Sequence, residues 1–138
     1  MEIVTLFASE GVSVDVFTGR VSAYNIIEAI YAPRYPAKLM RVHVVVQYQR
    51  SKDELVPHFF EQVAVIAPNG TDVLRGPIQE VTVPERHHTS LHTAWAMDIP
   101  EAGDYQLKVR HSQSSEGPWT EVRNRTILVA TAPHPLMR

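Results

Sequence analysis

The sequence predicts an all-β chain: one antiparallel β-sandwich domain of about eight strands in two sheets, with Ig-like or C2-like topology. Three observations predict it. Apolar residues recur with period two over most of the chain, turn signals fall at short intervals, and no long helical period separates the apolar runs. With 138 residues the chain suits one domain with a real core, and 44% hydrophobic against 20% charged residues is a globular balance. The expected domain covers residues 1–131, followed by a C-terminal tail, 132–138.

The elements follow in order. EIVTLFA (2–8) opens the chain, and GVSVDVF (11–17) and RVSAYNIIEAI (20–30) flank a reversal at Thr18-Gly19. Within the latter, NIIEAIYA could form a helical turn capped by Asn25, but its β-branched isoleucines and the APRYP that follows oppose one. RVHVVVQYQ (41–49) sets Val42, Val44, Val46 and Tyr48 on one face. Val45 breaks the alternation, which predicts a central strand partly covered on its second face. FFEQVAVIA (59–67) ends at PNG, a strong hairpin signal. TDVLRG and IQEVTV are short strands, and TSLHTAWAMDI (89–99) reads as one long strand with Leu91, Thr93, Trp95, Met97 and Ile99 sharing the core face. IPEAG supplies the turn into DYQLKVRH (104–111), where Tyr105, Leu107 and Val109 alternate with polar residues. TEVRNRTILVA (120–130) closes the domain, with a bulge expected near Asn124.

Composition narrows the function classes. A net charge of −2 lacks the basic excess of a nucleic-acid binder, and no cysteine is present for disulfide or thiolate chemistry. The N-terminus has no basic region ahead of an apolar stretch, and no window reaches the length of a membrane span. A soluble cytoplasmic protein with no membrane and no nucleic-acid partner is expected.

PERHHTSLH (84–92) holds three of the seven histidines and is the nearest thing to a chemical motif. On a strand, His88 and His92 share a face about 13 Å apart, too far for one zinc ion. That face is expected to be solvated, and Trp95 to lie inside. His87, His88 and His43 stay weak metal candidates, since His87 or His88 could meet His43, His58 or His111 across the fold. Glu54, Glu61, Glu80, Glu85 and Glu101 read as solvated strand ends, and no nucleophile elbow, P-loop or dinucleotide pattern is present. No catalytic residue and no cofactor are therefore expected. Binding candidates are Trp119, in the Gly-Pro loop SSEGPWT, and Tyr31, Arg34 and Tyr35 in IYAPRYP; aromatics lidding one end of the domain would look the same.

EIVTLFAS, SVDVFTGRVSAYNIIEAI, LMRVHVVVQY, IAPNG and IPEAGDYQLKV occur in an order that resembles a widespread bacterial family of short proteins classed as a domain of unknown function. The resemblance implies a compact β-sandwich and carries no activity or site residue with it. The expected function is a non-enzymatic protein-interaction or structural module, acting on an unknown protein partner or by self-association. Its rivals are a small carbohydrate-binding module and a histidine-based metal protein or enzyme.

Overall fold

The structure, a computed structural model, describes residues 1–132. The expected tail, 132–138, lies outside the described residues apart from Ala132. Among the described residues the chain is all-β, with twelve strands in three sheets rather than eight in two. No helix among the described residues is long and apolar enough to cross a membrane.

The extra strands arise where predicted strands break. RVSAYNIIEAI and its continuation become β2 (Val21–Ile27) and β3 (Ala29–Ala32), which change sheet at Glu28. No helical turn forms there. TSLHTAWAMDI breaks at Trp95-Ala96 into the end of β9 (His87–Ala94) and β10 (Met97–Ile99). The remaining strands are β1 (Glu2–Val14), β4 (Ala37–Leu39), β5 (Val42–Gln49), β6 (His58–Ile66), β7 (Asp72–Arg75), β8 (Gln79–Thr82), β11 (Gly103–Ser112) and β12 (Thr120–Thr131).

The first sheet has the order β2-β1-β5-β9, all antiparallel. The second runs β3-β12-β11-β6-β7, with β8 also on β6, and β3 joins it parallel to β12. β10 and β4 form a small two-stranded sheet. The two large sheets bury one face each in a common core. Leu6, Ala8, Val42, Val44, Val46 and Tyr48 come from the first, and Phe59, Val63, Val65, Tyr105, Leu107, Val109, Ile127 and Val129 from the second. Every one of these sits at the alternate position of its strand, so the period-two pattern determines which face is buried.

Two turns read from sequence interlock. Gly103 takes a φ of 135°, and a Cβ there would come within 2.7 Å of Pro68 Cγ in the PNG loop. Any side chain would force the two loops apart. Tyr105 adds a second tie, donating its hydroxyl to Glu101 O at 2.7 Å across the same turn. The expected irregularity in the last strand is present two residues early: the register of β11 and β12 slips between Val109/Arg110 and Arg123/Glu121, leaving Val122 as the extra residue.

Leu107 is fully buried, whereas Leu128, on the neighbouring strand, is largely exposed. Leu107→Ala is expected to lower unfolding free energy by about 2–5 kcal/mol, because it leaves a cavity in a close-packed core. Leu128→Ala is expected to cost less than about 1 kcal/mol, and urea denaturation of both variants measures the contrast.

Candidate functional site

The break at Trp95-Ala96 inverts the expected faces of β9. Leu91 and Thr93 lie on the outer face of the sheet, and Trp95 continues outward, 70% exposed. His88, Ser90, His92 and Ala94 form the inward face, and His92 is only 3% exposed. The expectation of an inward Trp95 and an outward, solvated His92 is thus overturned. Met97 and Ile99 are buried as expected, but they belong to a different sheet. Across the break they share neither a plane nor a facing with Leu91 and Trp95.

His92 reaches a carboxylate that sequence reasoning placed in solvent. Glu61 is 0% exposed and occupies the inward register of β6 between Phe59 and Val63. His92 Nε2–H donates to Glu61 Oε1 at 2.5 Å, and Tyr48 Oη–H donates to Glu61 Oε2. That donation uses the tyrosine's single proton. His111 Nε2, 2.7 Å from Tyr48 Oη, therefore donates to it in turn. Tyr48 and His92 belong to the first sheet, Glu61 and His111 to the second, so the network bridges the core from sheet to sheet.

Burial pushes the Glu61 carboxyl up. The hydrogen bonds from His92 and Tyr48 and the nearby imidazoles outweigh it, so its pKa lies below the ordinary carboxylate value and the group is ionised at neutral pH. Burial, followed by the Glu61 charge, holds Tyr48 protonated far above the ordinary phenol range. Burial lowers the pKa of His111 against the opposing pull of Glu61. His92 Nδ1 is buried with no partner, next to Gly76, where a Cβ would lie 3.8 Å from it.

Of this network only His111 is partly exposed, and Tyr48 is buried beside it. Tyr48 and His111 line a cleft of about 330 Å³ with Met1, Glu2, Ile3, Val122 and Arg123. Glu61 and His92 do not reach it, and both carboxylate oxygens are engaged in hydrogen bonds. The arrangement fastens two sheets together and keeps its carboxylate out of the cleft. Among the described residues no group of three or more His, Cys, Asp or Glu is arranged to hold a metal ion.

The other sequence candidates are dispersed. His43 lies on the outer face, its Nδ1 2.9 Å from Thr93 Oγ1, and pairs in register with Thr93. His87 and His88 pair with Gln49 and Tyr48 at the other end of β5, about 20 Å along the strand from His43. Trp119 is half-buried just before β12, whereas Tyr31 pairs with Ala130 near the end of that strand. The two aromatics are separated by about 33 Å and cannot share one ligand. Tyr31 and Arg34 are exposed; Tyr35 packs on the core and lids its end.

The outer face of the first sheet assembles what those loops do not. Its cross-strand rows are Thr5–Gln47–Thr89, Phe7–Val45–Leu91 and Ile26–Ser9–His43–Thr93. Val45 is 2% exposed yet stands outside the core cluster, shaded by Phe7 and Leu91 on either side. Its break in alternation therefore marks this second face. The next row begins with Tyr24 lying over Gly11, where a Cβ would stand 2.0 Å from the tyrosine ring. Continuing the same registers brings Arg41 and Trp95 into that row, and the Arg41 guanidinium carbon lies 5.1 Å from the indole centroid.

No protein-family model matches the chain, and no curated protein does. Among solved structures it is similar to "Crystal structure of the C-terminal domain of wzt", at 9% identity and a TM-score of 0.45, over 96% of this chain and 74% of that one. A likeness of that size does not establish a shared fold.

Acid is expected to loosen the clamp in two stages. His111 binds its proton more weakly folded than unfolded, so stability is intact above about pH 6.5 and falls as pH drops towards the lowered folded value. Glu61, also lowered, contributes stability that is present above its unfolded value of about 4.5 and lost as pH falls through the folded one. Urea midpoints at pH 7.5, 5.5 and 4 measure both stages, and His111→Gln is expected to flatten the first. Glu61→Ala, which orphans two buried donors, is expected to cost roughly 3 kcal/mol or more at neutral pH.

Proposed function

We propose that the chain is a non-enzymatic binding module whose ligand lies across the outer face of the β2-β1-β5-β9 sheet. The two packed sheets are read as a sandwich of Ig-like or C2-like kind, and a glycan is the ligand class that matches the face. The observation that carries this reading is the pair of exposed aromatics, Tyr24 over Gly11 and Trp95 against Arg41, which the strand registers extend into one row. Four strands spaced about 4.8 Å apart set the rings on the order of 14 Å from one another. Aromatic rings stack on the C–H faces of sugars. In the adjoining row Thr93 is exposed and offers a hydroxyl for sugar hydroxyls, with His43 buried behind it at hydrogen-bond distance. Gly11 contributes by absence, since any side chain there would displace the Tyr24 ring.

A second reading, a protein-interaction module, is favoured by one observation: the apolar row Phe7–Val45–Leu91 beside the aromatic row. It uses the same face, so both readings agree on where a ligand binds.

A glycan array identifies ligands, and titration of the best hit followed by tryptophan fluorescence measures affinity. Trp95→Ala is expected to weaken binding about thirtyfold, the equivalent of about 2 kcal/mol for a central aromatic anchor. Trp119→Ala, at a remote loop, is expected to leave affinity unchanged. Hits that survive loss of Trp95, or an array without hits, would count against the glycan reading. In the latter case, failure of Leu91→Asp to abolish capture of a protein partner would remove the face as well.

A further inference from the structure

We propose that the free edge of β2 is a self-association edge, on which a second copy of this chain pairs antiparallel about a two-fold axis through Tyr24. Three features of the strand support this.

The first is lack of protection. Edge strands carry unpaired backbone N–H and C=O groups, and monomeric proteins blunt them with charge, proline, shortness or a covering element. The other edges here are blunted. β9 has the Gln79 side chain donating to Leu91 O from outside the sheet. β7 is four residues long and carries Asp72 and Arg75, and β3 and β8 are also four residues long. β2 is seven residues, VSAYNII, with neither a charge nor a proline.

The second is charge complementarity. An antiparallel pair centred on Tyr24 opposes Val21 to Ile27, Ser22 to Ile26 and Ala23 to Asn25 of the other copy. At each end of the strand it opposes Arg20 to Glu28, and both side chains are exposed. Arg20, Ser22, Tyr24, Ile26 and Glu28 all lie on the even, outer register, so the two charges meet on one face. Asn25 is the one irregular position, with a φ of 55°, and it falls opposite Ala23, whose methyl group leaves room for it. A two-fold axis makes the Arg20–Glu28 contact twice.

The third is area. The β1–β2 hairpin tip, beside this edge, carries Val16 and Phe17, 88% and 94% exposed. Burying Phe17 removes on the order of 200 Å² per copy, about a quarter of the ~800 Å² that a stable partner contributes. Val16, Ile26, the paired edge backbone and the two ion pairs extend it towards the rest. The resulting eight-stranded sheet would run the outer face continuously through both copies.

Sedimentation equilibrium over a range of chain concentrations tests the proposal, with circular dichroism confirming that each variant is folded. The wild-type chain is expected to be a dimer in rapid exchange. Arg20→Glu places two carboxylates together at each end and is expected to raise the dimer dissociation constant at least tenfold; Glu28→Arg is expected to do the same. The double variant Arg20→Glu/Glu28→Arg restores the opposition and is expected to recover affinity to within about threefold. Because Glu28 also contacts Arg125 at 3.3 Å, the Arg20 variant and the double swap carry the decision. A monomer at every concentration overturns the proposal, as does a dimer indifferent to the Arg20 reversal or unrescued by the swap.

Discussion

The interior is organised around one buried carboxylate. Glu61 sits where β6 calls for an apolar residue, and removing its charge from water is costly unless it is matched by donors. The match comes from two directions. Tyr48 and His92 approach from the opposite sheet, and His111, its cross-strand neighbour on β11, approaches through the Tyr48 hydroxyl. An apolar core tolerates small slips between sheets, but a carboxylate bound at both oxygens does not. The network therefore fixes how the two sheets lie on one another, a specificity role best attested for buried polar groups. The Tyr48 ring stands edge-on to Phe59, and the His111 ring stacks on Phe59, so the polar and apolar contacts support the same geometry.

That arrangement has a consequence for β9. With His92 and Ser90 committed to the interior, strand alternation turns Leu91, Thr93 and Trp95 to the outside. The break immediately after Trp95 releases the residues that follow from that outward register. Met97 and Ile99 then return to the core from a separate two-stranded sheet. The same few residues thus tie the interior together and place an aromatic on the surface. The outer face combines rings, small residues and hydrogen-bonding side chains, with Val45 sunk between Phe7 and Leu91. It is chemically richer than the cleft at Tyr48 and His111, where the ionised group is out of reach.

Much of the fold was legible because burial follows the period of the strand. Tyr105, Leu107 and Val109, and Val42, Val44, Val46 and Tyr48, lie inside as their alternation requires. The PNG and IPEAG turns fall where glycine is needed. Even the anomaly at Val45 pointed to a second covered face. Strand count was not legible, since neither change of sheet, at Glu28 or at Trp95-Ala96, is marked by a proline or a glycine. One signal was available and passed over: Phe59, Glu61, Val63 and Val65 form a single register, so a glutamate on it must be buried and therefore partnered.

The sequence by itself determined that the chain is all-β, which residues of most strands are apolar on one side, and where its turns lie. These properties depend on neighbours within a few residues along the chain. Which side of β9 faces inward, that two histidines and a tyrosine converge on Glu61, and that Tyr24 and Trp95 are both exposed were decided only by tertiary structure. Each depends on register between strands distant in sequence, and a shift of one residue in that register would exchange inside for outside.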